Sequence, residues 1–176
     1  MCQMAQKMLN ESVLGEHGCT CMADGRRFVV TDVGRIENTH LWELFKTRER
    51  QIAESFGSLP AAVRAESLKL AADRHSGIAT LEQRLDVDAS NTRYLLHGTK
   101  NAALPSIARH GLMTKFVGDA NGAMYGDGMY FTRSSCKAAQ YTDGRMEVGD
   151  GSQTILICRV ALGRIAGIGD IVNRKP

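Results

Sequence analysis

The run at residues 154–162, TILICRVAL, constrains this chain most. Ile155-Leu156-Ile157-Cys158 is continuously apolar, and the pattern predicts a strand buried on both faces. A buried strand must pair its backbone groups with neighbours. Shorter strand patterns stand at residues 27–32, 93–96 and 129–131. Helical patterns lie between them without the regular spacing of βαβ units, so the expected class is α+β.

The first long helix pattern starts at Asn38 or Thr39, either of which can cap it, and runs to about Gly57. Leu41, Trp42, Leu44, Phe45, Ile52 and Phe56 form its predicted apolar stripe. Glu43, Lys46, Arg48, Glu49 and Arg50 are assigned to the wet side. A second helix is predicted at residues 61–75, just after Pro60. A third is predicted at residues 102–110, with Pro105 in its first turn and Gly111 as its stop. Ser134 can cap a fourth that reaches Tyr141. Residues 1–25 show no period and read as a poorly ordered arm. Residues 26–176 then form one domain, with residues 57–90 as a helical insertion.

Composition narrows the function. In 176 residues, 22 Lys and Arg against 19 Asp and Glu give a net charge of +3. That is too weak for a nucleic-acid groove, and direct activation by DNA is not supported. No apolar run is long enough to cross a membrane, and the first residues lack a secretory pattern. The five cysteines are an odd number without a disulfide spacing, which fits reduced thiols in cytoplasm or nucleus. His17-x-Cys19-x-Cys21 offers only half of a zinc site, so no metal is expected.

The candidate chemistry gathers in three places. A predicted apolar strand delivers His97-Gly98-Thr99. A glycine-rich loop spans residues 113–128; its glycines precede a strand rather than a helix, which excludes a dinucleotide fingerprint, and a P-loop lysine is absent. A loop of this kind beside a pocket is a candidate lid. Tyr130, Phe131 and Tyr141 cluster near these sites and suggest a pocket for a planar ligand.

Six blocks in order carry a resemblance: Arg35 to Trp42; Leu96-His97-Gly98-Thr99; Ile107 to Leu112; Met124 to Phe131; Ser135 to Tyr141; and Val160-Ala161-Leu162-Gly163. Together, over roughly residues 27–165, they resemble the catalytic domain of the poly(ADP-ribose) polymerases. The resemblance implies an ADP-ribosyltransferase fold, a split β-sandwich of two small antiparallel sheets with flanking helices. It implies NAD as co-substrate and protein side chains as acceptors. By position, it implies that His97 bonds a ribose hydroxyl and that the Gly98 backbone clamps the nicotinamide amide beside Thr99. Tyr130 and Phe131 wall the ribose pocket, and Tyr141 stacks on the nicotinamide ring. His97 and Tyr130 are the implied catalytic positions, and residues 113–128 the donor loop.

Two departures modify this expectation. Ala138 stands where the family has a serine for the nicotinamide amide, and Ser134, Ser135 and Thr132 are the candidate replacements. The signature glutamate belongs on a strand after residue 163, so the reading expects a C-terminally truncated domain lacking its last strands. Glu147, Asp150 and Asp170 do not stand in its context. Members without that glutamate are typically mono-ADP-ribosyltransferases, and some are inactive. The expected function is therefore transfer of single ADP-ribose units. The alternative is a non-catalytic NAD- or ADP-ribose-binding module. A third reading, an NAD-dependent RNA 2′-phosphotransferase, would require a basic groove that the composition does not supply.

Overall fold

A computed structural model describes residues 2–12, 28–72, 87–113, 128–143 and 152–166. It contains six helices among these residues, α1 (Cys2–Glu11), α2 (Thr39–Gly57), α3 (Ala61–Ala71), α4 (Val87–Ser90), α5 (Leu104–His110) and α6 (Ser135–Ala139), and two strands, β1 (Thr92–Thr99) and β2 (Thr154–Ala161). The strands pair as one two-stranded sheet. Their order is antiparallel: Leu162 N–H bonds Asn91 O beyond one end, and Thr154 Oγ1 bonds Asn101 Oδ1 beyond the other. The α+β composition thus holds, but the described residues contain one small sheet and not the two of a sandwich.

The chain divides into two compact units. The first comprises Met1–Trp42 and Leu95–Cys158. Here the period-free N-terminus departs from expectation, because Cys2–Glu11 is helical. Ala5, Met8 and Ser12 recur every three or four residues and are all buried. Gln6 binds the next segment with both ends of its amide: Nε2 donates to Phe28 O at 2.6 Å and Oε1 accepts from Val30 N–H at 2.7 Å. Among the described residues 28–32 the predicted strand does not form. Its backbone groups are met by a side chain rather than a neighbouring strand, and Val29 points to solvent.

In the same unit Asn38 caps α2, its Oδ1 accepting from Leu41 N–H at 3.1 Å. Its Nδ2 donates to Ala108 O and Arg109 O, the last turn of α5. A 3₁₀ turn at Asn101–Ala103 leads into α5, with Pro105 in the first turn. Gly111 ends α5 at φ 75°, a conformation that favours glycine.

The second unit comprises Glu43–Tyr94 and Arg159–Pro176. Its α2 residues correct the predicted stripe. The inward positions follow 41, 45, 49, 52 and 56 at helical spacing, and the middle one is Glu49, 7% exposed. A reading restricted to apolar residues skips the glutamate and recruits Trp42 and Leu44, which are 47% and 54% exposed. Glu49 Oε1 accepts from Arg159 Nη2 at 2.7 Å and Thr92 Oγ1 at 3.0 Å, and its Oε2 meets Lys46 Nζ at 2.5 Å. Burial pushes this carboxyl up, but these hydrogen bonds outweigh it and hold the group below 4.5.

Asn91 sits fully buried at φ 51°, a left-handed position that asparagine tolerates. Its Nδ2 donates to Ser67 O on α3 and to Gly163 O after β2. The α3 helix, predicted to reach residue 75, is described to Ala71. β2 is half-buried along its length, with Ile157 at 41% exposure, which corrects the expectation of burial on both faces.

Candidate active site

Every sequence-predicted site residue, His97, Gly98, Thr99, Tyr130, Phe131, Ala138 and Tyr141, falls in the first unit. β1 continues through Thr99, so the His-Gly-Thr triplet is part of the strand and does not follow it. The strand predicted at 129–131 reduces to one bridge, in which Leu96 and Thr132 exchange two backbone hydrogen bonds of 2.7 and 2.9 Å. After that bridge the pairing stops. Tyr130 O is held by His97 Nδ1 at 2.9 Å.

This contact fixes the histidine. A carbonyl can only accept, so Nδ1 carries a proton, and in the neutral ring that leaves Nε2 with the lone pair. The imidazole also packs against Phe131, with ring centroids 5.7 Å apart and planes tilted by 54°. His97 is therefore oriented on two sides, with Nδ1 engaged by the main chain.

Gly98 lies where no side chain fits. A Cβ there would stand 1.8 Å from Ala138 O and 3.2 Å from Tyr141 Cβ. The protein's own backbone thus requires this glycine, independently of any ligand. The period of a strand puts the N–H and C=O of Gly98 on the same edge as those of Leu96, which is the edge away from β2. Among the described residues no hydrogen bond closes that edge at Gly98. One donor and one acceptor, side by side, match a primary carboxamide.

Ser134 and α6 build the wall beside this edge. Ser134 Oγ caps the helix by accepting from Lys137 N–H at 3.3 Å. Ala138 is buried, and Tyr141 follows the helix with its side chain 44% exposed. Lys137 Nζ stands 5.4 Å from the centre of the Tyr141 ring, a contact of helical spacing that the aromatic pattern alone had not pointed to. Thr99 is buried, and Tyr130 is exposed.

None of the three hydroxyls considered in place of the missing serine is idle. Ser134 Oγ serves as the cap just described. Ser135 Oγ donates to Leu9 O at 2.8 Å, and Thr132 Oγ1 accepts from Ser134 N–H at 3.1 Å. The carboxylate described nearest in sequence to Tyr141 is Asp143, whose Oδ2 accepts from Asn101 N–H at 2.6 Å. Residues 114–127 of the candidate donor loop lie outside the described residues, as do His17, Cys19, Cys21, Glu147, Asp150 and Asp170. Burial pushes the Cys158 thiol up to about 11, which keeps it protonated near neutrality.

Comparison with known proteins follows the same lines. No curated protein matches the chain. The family model of the poly(ADP-ribose) polymerase catalytic domain matches residues 7–170. The match begins within α1, ahead of the strand and histidine just described, and runs past β2. The chain belongs to the poly(ADP-ribose) polymerase catalytic-domain family.

Proposed function

We propose that this chain uses NAD as co-substrate and transfers single ADP-ribose units to protein side chains, releasing nicotinamide. The observation that carries the reading is the open edge at Gly98, flanked by His97 and by the Tyr141 ring. A nicotinamide carboxamide can accept from Gly98 N–H and donate to Gly98 C=O while its ring lies on Tyr141. A cationic pyridinium gains attraction from the tyrosine face. His97 Nε2 accepts from a ribose hydroxyl, and Tyr130 and Phe131 wall the ribose. The remainder of the fold, including the second sheet of the split sandwich, belongs to the same reading.

The reaction breaks the bond between ribose C1′ and the nicotinamide nitrogen. The bonding pair leaves with neutral nicotinamide, and C1′ takes on oxocarbenium character. A nucleophilic atom of the acceptor then bonds C1′ and gives up its proton. Asp143 is committed to Asn101, so no described carboxylate is assigned the role that steadies the ribose for chain elongation. Single-unit transfer to cytoplasmic or nuclear proteins follows as the proposed outcome. No described helix is long and apolar enough to cross a membrane.

A second reading is favoured by one observation. Ala138 offers no hydroxyl, Ser135 donates its own to Leu9 O, and Ser134 and Thr132 already accept backbone N–H groups. A site that binds the donor weakly and does not turn it over is a binding module.

Intact mass after incubation with NAD, beside His97→Ala, separates the two. A gain of one ADP-ribose in the parent alone supports transfer. A ladder of units overturns single-unit transfer. Binding of nicotinamide without its release from NAD supports the module, and absence of both overturns the site.

A further inference from the structure

At the sheet edge by Gly98, a side chain stands where a ladder bond would continue. Leu96 and Thr132 exchange both of their backbone hydrogen bonds. In an antiparallel ladder the next such pair falls two residues on along each strand, which is Gly98 with Tyr130. Continued pairing would place Gly98 N–H on Tyr130 O. That carbonyl is instead held by His97 Nδ1 at 2.9 Å. The ladder ends after one bridge at the residue where the imidazole intervenes.

We infer that His97 is a positioning residue for the amide clamp as well as a ribose contact: by holding Tyr130 O, its Nδ1–H keeps Gly98 N–H free for the ligand's carboxamide. This rests on the functional reading above for the ligand, but not for the ladder. The two ring nitrogens then have separate tasks. Nε2 faces the donor's ribose, and Nδ1 holds the competing carbonyl away.

Three variants of the full chain test the division. His97→Asn keeps a donor near the Nδ1 position. His97→Gln reaches toward the Nε2 position and takes the imidazole's hydrogen bond away from Tyr130 O. His97→Ala removes both. The probe is nicotinamide, which has no ribose and cannot touch Nε2. Loss of one clamp hydrogen bond is expected to weaken nicotinamide binding about 3- to 10-fold in His97→Ala and His97→Gln. His97→Asn is expected to stay near the parent. Titration calorimetry separates this from partial unfolding, which lowers the number of binding sites and leaves the affinity alone. Equal nicotinamide affinity in the parent and His97→Ala overturns the inference.

Hydrogen exchange at the Gly98 amide needs no ligand. It is expected to be fast in the parent and in His97→Asn, and slowed in His97→Ala and His97→Gln as Gly98 pairs with Tyr130. Should the parent bind no nicotinamide, the functional reading fails and this exchange still decides the inference. Slowing in His97→Ala sustains it, and unchanged exchange overturns it.

Discussion

At Gly98, two constraints of different origin meet at one atom. A side chain is excluded by Ala138 O, 1.8 Å from the position of a Cβ, and by Tyr141 Cβ beyond it. Gly98→Ala must therefore push α6 outward, because the obstacle is backbone and cannot rotate away. The expected cost is about 1–3 kcal/mol, as for other insertions into packed regions. It is expected to appear in chemical denaturation together with loss of nicotinamide binding. Unchanged stability would mean that β1 and α6 are not in this contact. The triplet His97-Gly98-Thr99 was visible in the sequence, but the reason for its glycine was only half visible. Resemblance points to the ligand, while the structure adds the carbonyl of Ala138. Nothing in the sequence around residue 138 marks that contact, since it is made by main chain.

Among the elements, α1 is where reading by pattern fell furthest short. Its ten residues do carry a one-sided pattern, but a short one of low mean hydropathy, and the buried positions are Ala5, Met8 and, just beyond the helix, Ser12. What holds the helix is polar and distant in sequence. Its terminal carbonyls, Leu9 O and Ser12 O, accept from Ser135 Oγ at 2.8 Å and Ser135 N–H at 3.2 Å. The unpaired carbonyls that end one helix thus meet the unpaired N–H that begins another. Such a junction is invisible to a window of eleven or eighteen residues, because its partners are 126 positions apart. Ser135→Ala is expected to lower stability by about 1 kcal/mol and to speed amide exchange in both α1 and α6. Acceleration confined to α6 would show that α1 is held by other contacts. The helices that were legible, α2, α5 and α6, carry local signals: an Asn38 cap, a Pro105 to Gly111 frame and a Ser134 cap. The missed strands at 27–32 and 129–131 share one feature. In each, a side chain, Gln6 or His97, takes backbone groups that a neighbouring strand would otherwise use.

For the whole molecule, acid stability is expected to follow Glu49. Its carboxyl is held below 4.5 in the folded chain by Lys46, Arg159 and Thr92. A lowered folded value means that the ionised group stabilises the fold above the unfolded value. That contribution declines as pH falls through the folded value. Glu49→Ala is expected to cost about 1–3 kcal/mol near neutrality, because it takes a buried carboxylate from the half-buried Arg159 guanidinium and from Lys46. The difference between parent and variant melting temperatures should shrink below pH 4.5. A difference that persists unchanged into acid would show packing, not charge, at work. A rule that places glutamate outside cannot find this residue. The register 41, 45, 49, 52, 56 can, if polarity is set aside and spacing alone is followed.

The bond between His97 and Tyr130 is made to a main-chain oxygen. Any residue at position 130 supplies that oxygen. The proton arrangement of the histidine is thus insulated from drift at its neighbour, and the side chain there is free to diversify. A lineage can change the side chain at this position one substitution at a time without disturbing the imidazole beside it.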